Sequence, residues 1–230
     1  MKRFEDLPLR ERKASKKRLA IYDAGRELLK DVTLGNIKIE EICELAQVSR
    51  STFFSYFPRK MDLIIYDIRL WGLEKGYDMQ HLPQEELGLV YIENIYRELA
   101  ETMQNQSPYW ADVMVLRACE PRTIHRLNTD PTPIIPLGDR LLRFPDKEGI
   151  DTFPEATGYN LVKRNLAIAV KKGELPPDTD LHSALIVVNS ILYGSAVILA
   201  GYSNLETLSW ELQKQLQLVW NGLRHPATKG

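Results

Sequence analysis

Apolar side chains recur at three- and four-residue spacing along most of the chain, and no stretch shows the alternate-residue pattern of a half-buried strand. The first segment, residues 10–30, sets Ile21, Ala24 and Leu28 on one helical face. Residues 31–37 interrupt it. Ile39, Ile42 and Ala46 mark a short second helix, and Ser49 is placed to cap a third that starts at Arg50 and stops before Pro58. A fourth helix over about 60–75 turns Leu63, Ile64, Ile68 and Trp71 inward. Leu87, Val90, Tyr91, Ile95 and Leu99 predict a helix to about residue 104, and Pro108 opens another to about 120. Helices resume over 156–172, 180–202 and 205–223, with Gly173 to Pro177 and then Ser203 and Asn204 between them. The reading is an all-α chain of about nine helices.

The segment 121–154 breaks the pattern. It carries Pro121, Pro131, Pro133, Pro136, Pro145 and Pro154, over a third of the 13 prolines, and reads as a long irregular connection with one short helix near 122–127.

Charge refines the picture only when it is partitioned. The chain of 230 residues holds 30 Lys and Arg against 31 Asp and Glu, a net −1 that by itself argues against a nucleic-acid partner. Residues 1–60, however, carry 14 basic against 9 acidic side chains, a balance of +5, which leaves −6 for the remainder. Arg10, Arg12, Lys13, Lys16, Lys17 and Arg18 cluster with Glu11 as the one acid among them. Such a run is either a solvated helix end or a phosphate-contacting arm. Cys43 and Cys119 are too few for a disulfide framework and read as core thiols of a reducing compartment. The first residues lack the apolar run of a secretory signal, so the cytoplasm is the expected location.

The informative window is IEEICELAQVSRSTFFSYFPRK, residues 39–60. A short helix, a tight turn and a Ser-capped second helix make a helix-turn-helix, whose second helix fits a DNA major groove. Ile42, Ala46, Val48 and Phe53 lock the pair together, leaving Arg50, Ser51, Phe54 and Ser55 able to face outward. Arginine can bond guanine at two points, hydroxyls can reach bases or phosphates, and an aromatic ring can pack on thymine methyls. Thr52, Tyr56 and Lys60 suit phosphates. A plain helical hairpin shows the same pattern.

Residues from about 18 to 64, including AIYDAGRELL, the window above and the following DLI, resemble the N-terminal domain of the TetR family of transcriptional regulators. The resemblance implies a DNA-binding domain with a basic arm over residues 1–60 and an effector-binding and dimerisation domain over 61–230. It implies that residues 50–56 are the recognition helix, with Arg50, Ser51 and Phe54 reading bases and Thr52, Tyr56 and Lys60 holding phosphates. Lys38, Ser49 and Ser55 complete the expected DNA-binding set, together with Arg10, Lys13 and Lys17 of the arm. Four positions depart from the family pattern. Phe54 stands where tyrosine is usual, Lys38 where a capping threonine is usual, and Gln47 and Thr33 where glycines end a turn and a helix.

Beyond residue 61 the resemblance is architectural. It implies that the last two helices pair with those of a second copy in a homodimer, and Leu185, Val188, Leu192, Gly194, Leu208, Leu212, Leu216 and Val219 are the expected interface. Residues 181–205 hold no charged side chain for 25 residues, long enough to cross a bilayer. A membrane anchor or a protein-docking helix therefore rivals the dimer core; the scattered His182, Ser183, Asn189, Ser190, Gly194, Ser195 and Asn204 favour the dimer and no membrane partner. A two-fold dimer predicts a palindromic double-stranded operator.

For a small, mostly apolar effector the candidates are Trp71, Tyr91, Met103, Trp110, Met114 and Tyr193, with Arg117, Asn160 and Arg164 as polar anchors; each would serve equally as ordinary core or surface. The implied protein is a repressor released by that effector, with no cofactor and no metal. Catalysis finds no support: His81, His125, His182 and His225 are far apart, and no nucleophile elbow or phosphate-binding glycine loop occurs.

Overall fold

In a computed structural model of the chain, residues 2–129, 134–201 and 205–225 are described. Pro131, Pro133, Tyr202, Ser203 and Asn204, which the sequence reading used, lie outside them. The described residues form eleven α-helices and no strand: α1 (Leu9–Leu28), α2 (Ile39–Leu45), α3 (Arg50–Tyr56), α4 (Asp62–Gln80), α5 (Leu89–Asn105), α6 (Ser107–Cys119), α7 (Pro121–Thr129), α8 (Leu137–Arg143), α9 (Gly158–Lys171), α10 (Leu181–Gly201) and α11 (Leu208–Arg224).

The two helices beyond the nine both fall in the proline-rich stretch: α7 is the short helix expected near 122–127, and α8 is the unexpected one. Pro121 is the first residue of α7 and Pro136 the N-cap of α8, positions where a fixed φ near −65° and a missing N–H cost nothing. These prolines start helices rather than break them. α8 also escapes a hydrophobicity pattern because its inward face is partly charged: Asp139 and Arg140 are buried beside Leu141.

The chain divides into two compact units. One is Met1–Gln80 with Pro108–Thr157; the other is His81–Ser107 with Gly158–Gly230. The helix-turn-helix segment is thus not compact by itself. α4, α6 and α8 complete its core, in which Tyr22, Phe53, Phe57, Ile64, Leu70, Tyr109, Leu116 and Leu141 share one apolar cluster. α4 passes so close to the segment after α8 that a Cβ on Gly72 would lie 2.0 Å from the Ala156 carbonyl oxygen, so only glycine fits there.

Charged side chains are interleaved in this core, each with partners. The buried Asp67 carboxylate accepts hydrogen bonds from the hydroxyls of Tyr22 (2.6 Å) and Tyr109 and lies 3.3 Å from Arg26. Glu155 accepts from Arg140 Nη2 (2.6 Å) and from the Ile135 N–H (2.8 Å). Arg140 also donates to the carbonyls of Ile135 and Phe153.

In the second unit α5 packs on α9 and α11, and α10 lies against α9 and α11. Glu93 of α5 ties α11 down, its carboxylate accepting from Gln217 Nε2 (2.8 Å) and Trp220 Nε1 (2.9 Å). This core takes up most of the residues expected at the dimer interface. Leu185, Val188, Leu192, Leu208, Leu212 and Leu216 are all buried within the single chain, because their three- and four-residue seams face the neighbouring helices of their own protomer. Val219 is half-buried, and of the eight only Gly194 is exposed. The outward apolar positions are Ile186, Val187, Val197 and Ile198 on α10 and Trp210 and Leu218 on α11. Leu181–Ala200 is apolar and long enough to cross a membrane, and 33% of its apolar 18-residue window is buried.

Candidate nucleic-acid interface

Each feature of the helix-turn-helix has a local cause. Lys38 has no side-chain acceptor with which to cap α2, and the cap is made the other way round: Glu41 accepts the Lys38 backbone N–H at 2.6 Å. Glu40 and Glu41 in the first turn also suit the positive end of the helix dipole. The turn then bends through Gln47 at φ 54°, the one non-glycine residue with positive φ among those described. The missing glycine is therefore replaced by a strained glutamine, costing on the order of 1 kcal/mol. At Thr33 φ is −69°, so that turn avoids the left-handed region altogether.

Ser49 caps α3, its Oγ accepting the Thr52 N–H at 3.2 Å. Phe53, fully buried, anchors the helix inward, and Phe57 does the same just past its end. Arg50, Ser51, Phe54 and Ser55 are exposed, and Thr52 and Tyr56 half-buried, the division that the spacing predicts.

Several of these side chains are already engaged. Arg50 Nη1 donates to Glu40 Oε1 at 2.5 Å, and its guanidinium lies 5.7 Å from the Phe54 ring centre. Ser51 Oγ is 2.9 Å from Ser49 Oγ, and Ser55 Oγ donates to the Thr52 carbonyl. Lys60 points inward: its ammonium donates to the carbonyls of Leu34 and Ile37, both at 2.7 Å. The Leu34 N–H is held in turn by Asp112 Oδ2 at 2.6 Å. Burial, opposed by that hydrogen bond and by Lys60, raises the Asp112 carboxyl above its ordinary range. The loop that delivers α2 is thus pinned at both poles of one peptide residue.

Beside α3 runs a groove of about 550 Å³, walled by Leu9, Arg10, Lys13, Ala14 and Lys17 of α1 and by Ser55 and Tyr56 of α3. Three cations and no acid face it, the requirement for a polyanion backbone. The basic run of the sequence is therefore drawn against the recognition helix: Arg10, Lys13 and Lys17 lie at the groove, while Arg18 lies behind it with its Cζ 5.0 Å from the Tyr56 ring centre. Lys38 is exposed at the N-terminus of α2. Sequence reasoning missed Glu40 and Asp112, whose partners lie 10 and 78 residues away, too far for any local pattern to pair them.

The effector candidates separate. Trp71, Trp110, Met114 and Arg117 are half-buried in the first unit. In the second, Tyr91 and Met103 are core, Asn160 and Tyr193 half-buried, and Arg164 exposed. Cys43 is buried, and burial together with Glu40 raises its thiol. Cys119 is exposed, against the expectation of a core thiol. Among the described residues no three His, Cys, Asp or Glu side chains are grouped as a metal site.

A capped α3 standing outward beside a cationic groove, in an all-helical chain, defines a helix-turn-helix DNA-binding protein. Comparison with known proteins agrees: residues 21–66 match the model for bacterial regulatory proteins of the tetR family, which supports a DNA-binding transcriptional regulator with a tetR-type N-terminal domain. Salmonella enterica GusR, a solved structure, aligns with 89% of this chain and 95% of its own at a TM-score of 0.55 and 18% identity, a likeness of fold. No curated protein sequence matches the chain.

Proposed function

We propose that the protein is a ligand-responsive repressor that binds a palindromic double-stranded operator as a homodimer in the cytoplasm and is released by a small, mostly apolar effector. The observation that carries the DNA side is the solvent-exposed outer face of α3, with Arg50, Ser51, Phe54 and Ser55, set beside the groove of Arg10, Lys13 and Lys17. Arg50 and Phe54 read base edges; Tyr56, Thr52 and the three α1 cations hold phosphates. Ser49 serves as the cap that orients them.

The dimer face is formed by the outward apolar residues of α10 and α11 rather than by their inward seams. Ile186, Val197, Ile198, Trp210 and Leu218 need cover, and a two-fold partner supplies the same patch. Asn189, Ser190 and Gly194 interleave with them, which suits helix contact better than lipid. Effector binding acts as a population shift, favouring a separation of the two reading heads that fits DNA poorly.

Titration of a duplex operator with Arg50→Ala and Tyr56→Ala at two salt concentrations tests the reading. Loss of Tyr56 is expected to weaken binding to every sequence, and loss of Arg50 to relax specificity as well. Unchanged binding in both variants would overturn the assignment of α3.

A further inference from the structure

The proline-rich segment makes a contact that the helix-turn-helix reading does not require. α8 places Asp139, fully buried, against α1, where its two oxygens each accept from Arg18 Nη1 at 2.8 Å and Oδ2 also accepts from the Tyr66 hydroxyl at 2.7 Å. The seat is close: a Cβ on Gly138 would meet Ser15 Oγ at 2.3 Å and Leu7 Cδ1 at 3.2 Å, so α8 packs directly on the Ser15 side chain of α1. Arg18 is the link. Its Nη1 is held by the carboxylate while its guanidinium covers the Tyr56 ring, and Tyr56 lines the cationic groove.

We propose that Asp139 is a positioning residue for DNA binding: by fixing the Arg18 guanidinium it holds the Tyr56 ring in the groove at the end of the recognition helix. A buried ion pair adds little net stability over an apolar substitute, because desolvation offsets the attraction, but a planar guanidinium pinned at one end gives its stacking partner one orientation. Released from Asp139, Arg18 would turn toward solvent and Tyr56 would lose the surface against which it is ordered.

Simple electrostatics predicts the opposite outcome. Removing a carboxylate from a DNA-binding head should tighten its grip on a polyanion. The positioning role predicts that Asp139→Asn weakens it. The proposal rests on the reading that Tyr56 touches phosphate, and a double-mutant cycle separates the two.

The full-length protein is titrated into a fluorescently labelled duplex of mixed sequence at low salt and low temperature, with far- and near-UV circular dichroism confirming that each variant is folded. Tyr56→Phe is expected to bind about tenfold more weakly, the loss of one hydrogen bond to a charged group. Asp139→Asn should lose about three- to tenfold, and the double variant should bind within about twofold of Tyr56→Phe alone. Arg18→Lys keeps the charge and, as the milder change, covers the case in which Asp139→Asn does not fold. It should weaken binding with Tyr56 present and leave it unchanged when combined with Tyr56→Phe. Wild-type affinity in Tyr56→Phe would overturn the phosphate reading and the relay with it. A normal loss in Tyr56→Phe, with Asp139→Asn tighter than wild type or with full additivity, would overturn the relay alone.

Discussion

Lys60 offers the sharpest contrast between what the sequence suggests and what the fold does with it. Its position implies a phosphate contact, yet its ammonium donates to two backbone carbonyls, those of Leu34 and Ile37, that hold the loop between α1 and α2. Lys60→Met keeps the aliphatic stem and deletes both donors. Hydrogen bonds to a charged group contribute about 1.5–3 kcal/mol each, and a half-buried pair belongs at the low end, about 3 kcal/mol together. Water reaching the half-buried carbonyls in the variant recovers part of this, leaving about 2 kcal/mol. For a chain of this size that lowers the melting temperature by roughly 4–8 °C. The DNA readout should move little, because the ammonium is not presented outward. The slope of log affinity against log salt is expected to match wild type, whereas loss of one phosphate contact reduces it by about 0.9. Differential scanning calorimetry and salt-dependent titration of the same preparation decide. A slope lowered by about 0.9 with an unchanged melting temperature would refute the clamp.

Other outcomes follow from the same geometry. Glu40→Gln frees Arg50 from a partner 2.5 Å away; an exposed pair contributes at most about 1 kcal/mol, so DNA binding should tighten by up to about fivefold in titration. Tyr22, Tyr66 and Tyr109 are all pushed above the ordinary tyrosine range, first by burial and then by the carboxylates of Asp67 and Asp139. Their contribution to stability is full below pH about 10, where unfolded tyrosine is still neutral, and is lost as pH rises past it. Phenolate absorbance on alkaline titration should therefore show at least three tyrosines ionising only with unfolding, as seen by near-UV circular dichroism. At the dimer face, Leu218→Asp, at a position 71% exposed, should give a folded monomer by sedimentation velocity, while Leu212→Asp, on the buried side of α11, should not fold. A dimer that survives Leu218→Asp would place the interface elsewhere.

Much of this molecule was readable from spacing alone because its helices bury one apolar face. The borders of α2 and α3, the Ser49 cap and the inward Phe53 are all consequences of local chemistry, and the structure keeps them. Strain at Gln47 was legible for the same reason, since a turn that normally takes glycine must twist whatever stands there. Sequence reading failed where partners are remote or where charge is buried. α8 hides because Asp139 and Arg140 face inward, satisfied by Arg18 and Tyr66 and by Glu155 and carbonyls that no local pattern brings together. The seams on α10 and α11 were correct as seams, but periodicity cannot say whether a face meets a neighbouring helix or a second subunit. The positions left over, Ile186, Val197, Ile198 and Leu218, are the exposed ones on which the proposed dimer face rests.

The central claim is that α3 reads DNA from a two-fold dimer, and selection of bound duplexes from a random library by the full-length protein tests it most directly. The account predicts enrichment of a palindromic sequence whose half-sites lie one helical turn apart, about 10–10.5 base pairs centre to centre, or a multiple of that, with the consensus degraded by Arg50→Ala. No enrichment, or an asymmetric consensus indifferent to Arg50→Ala, would contradict it.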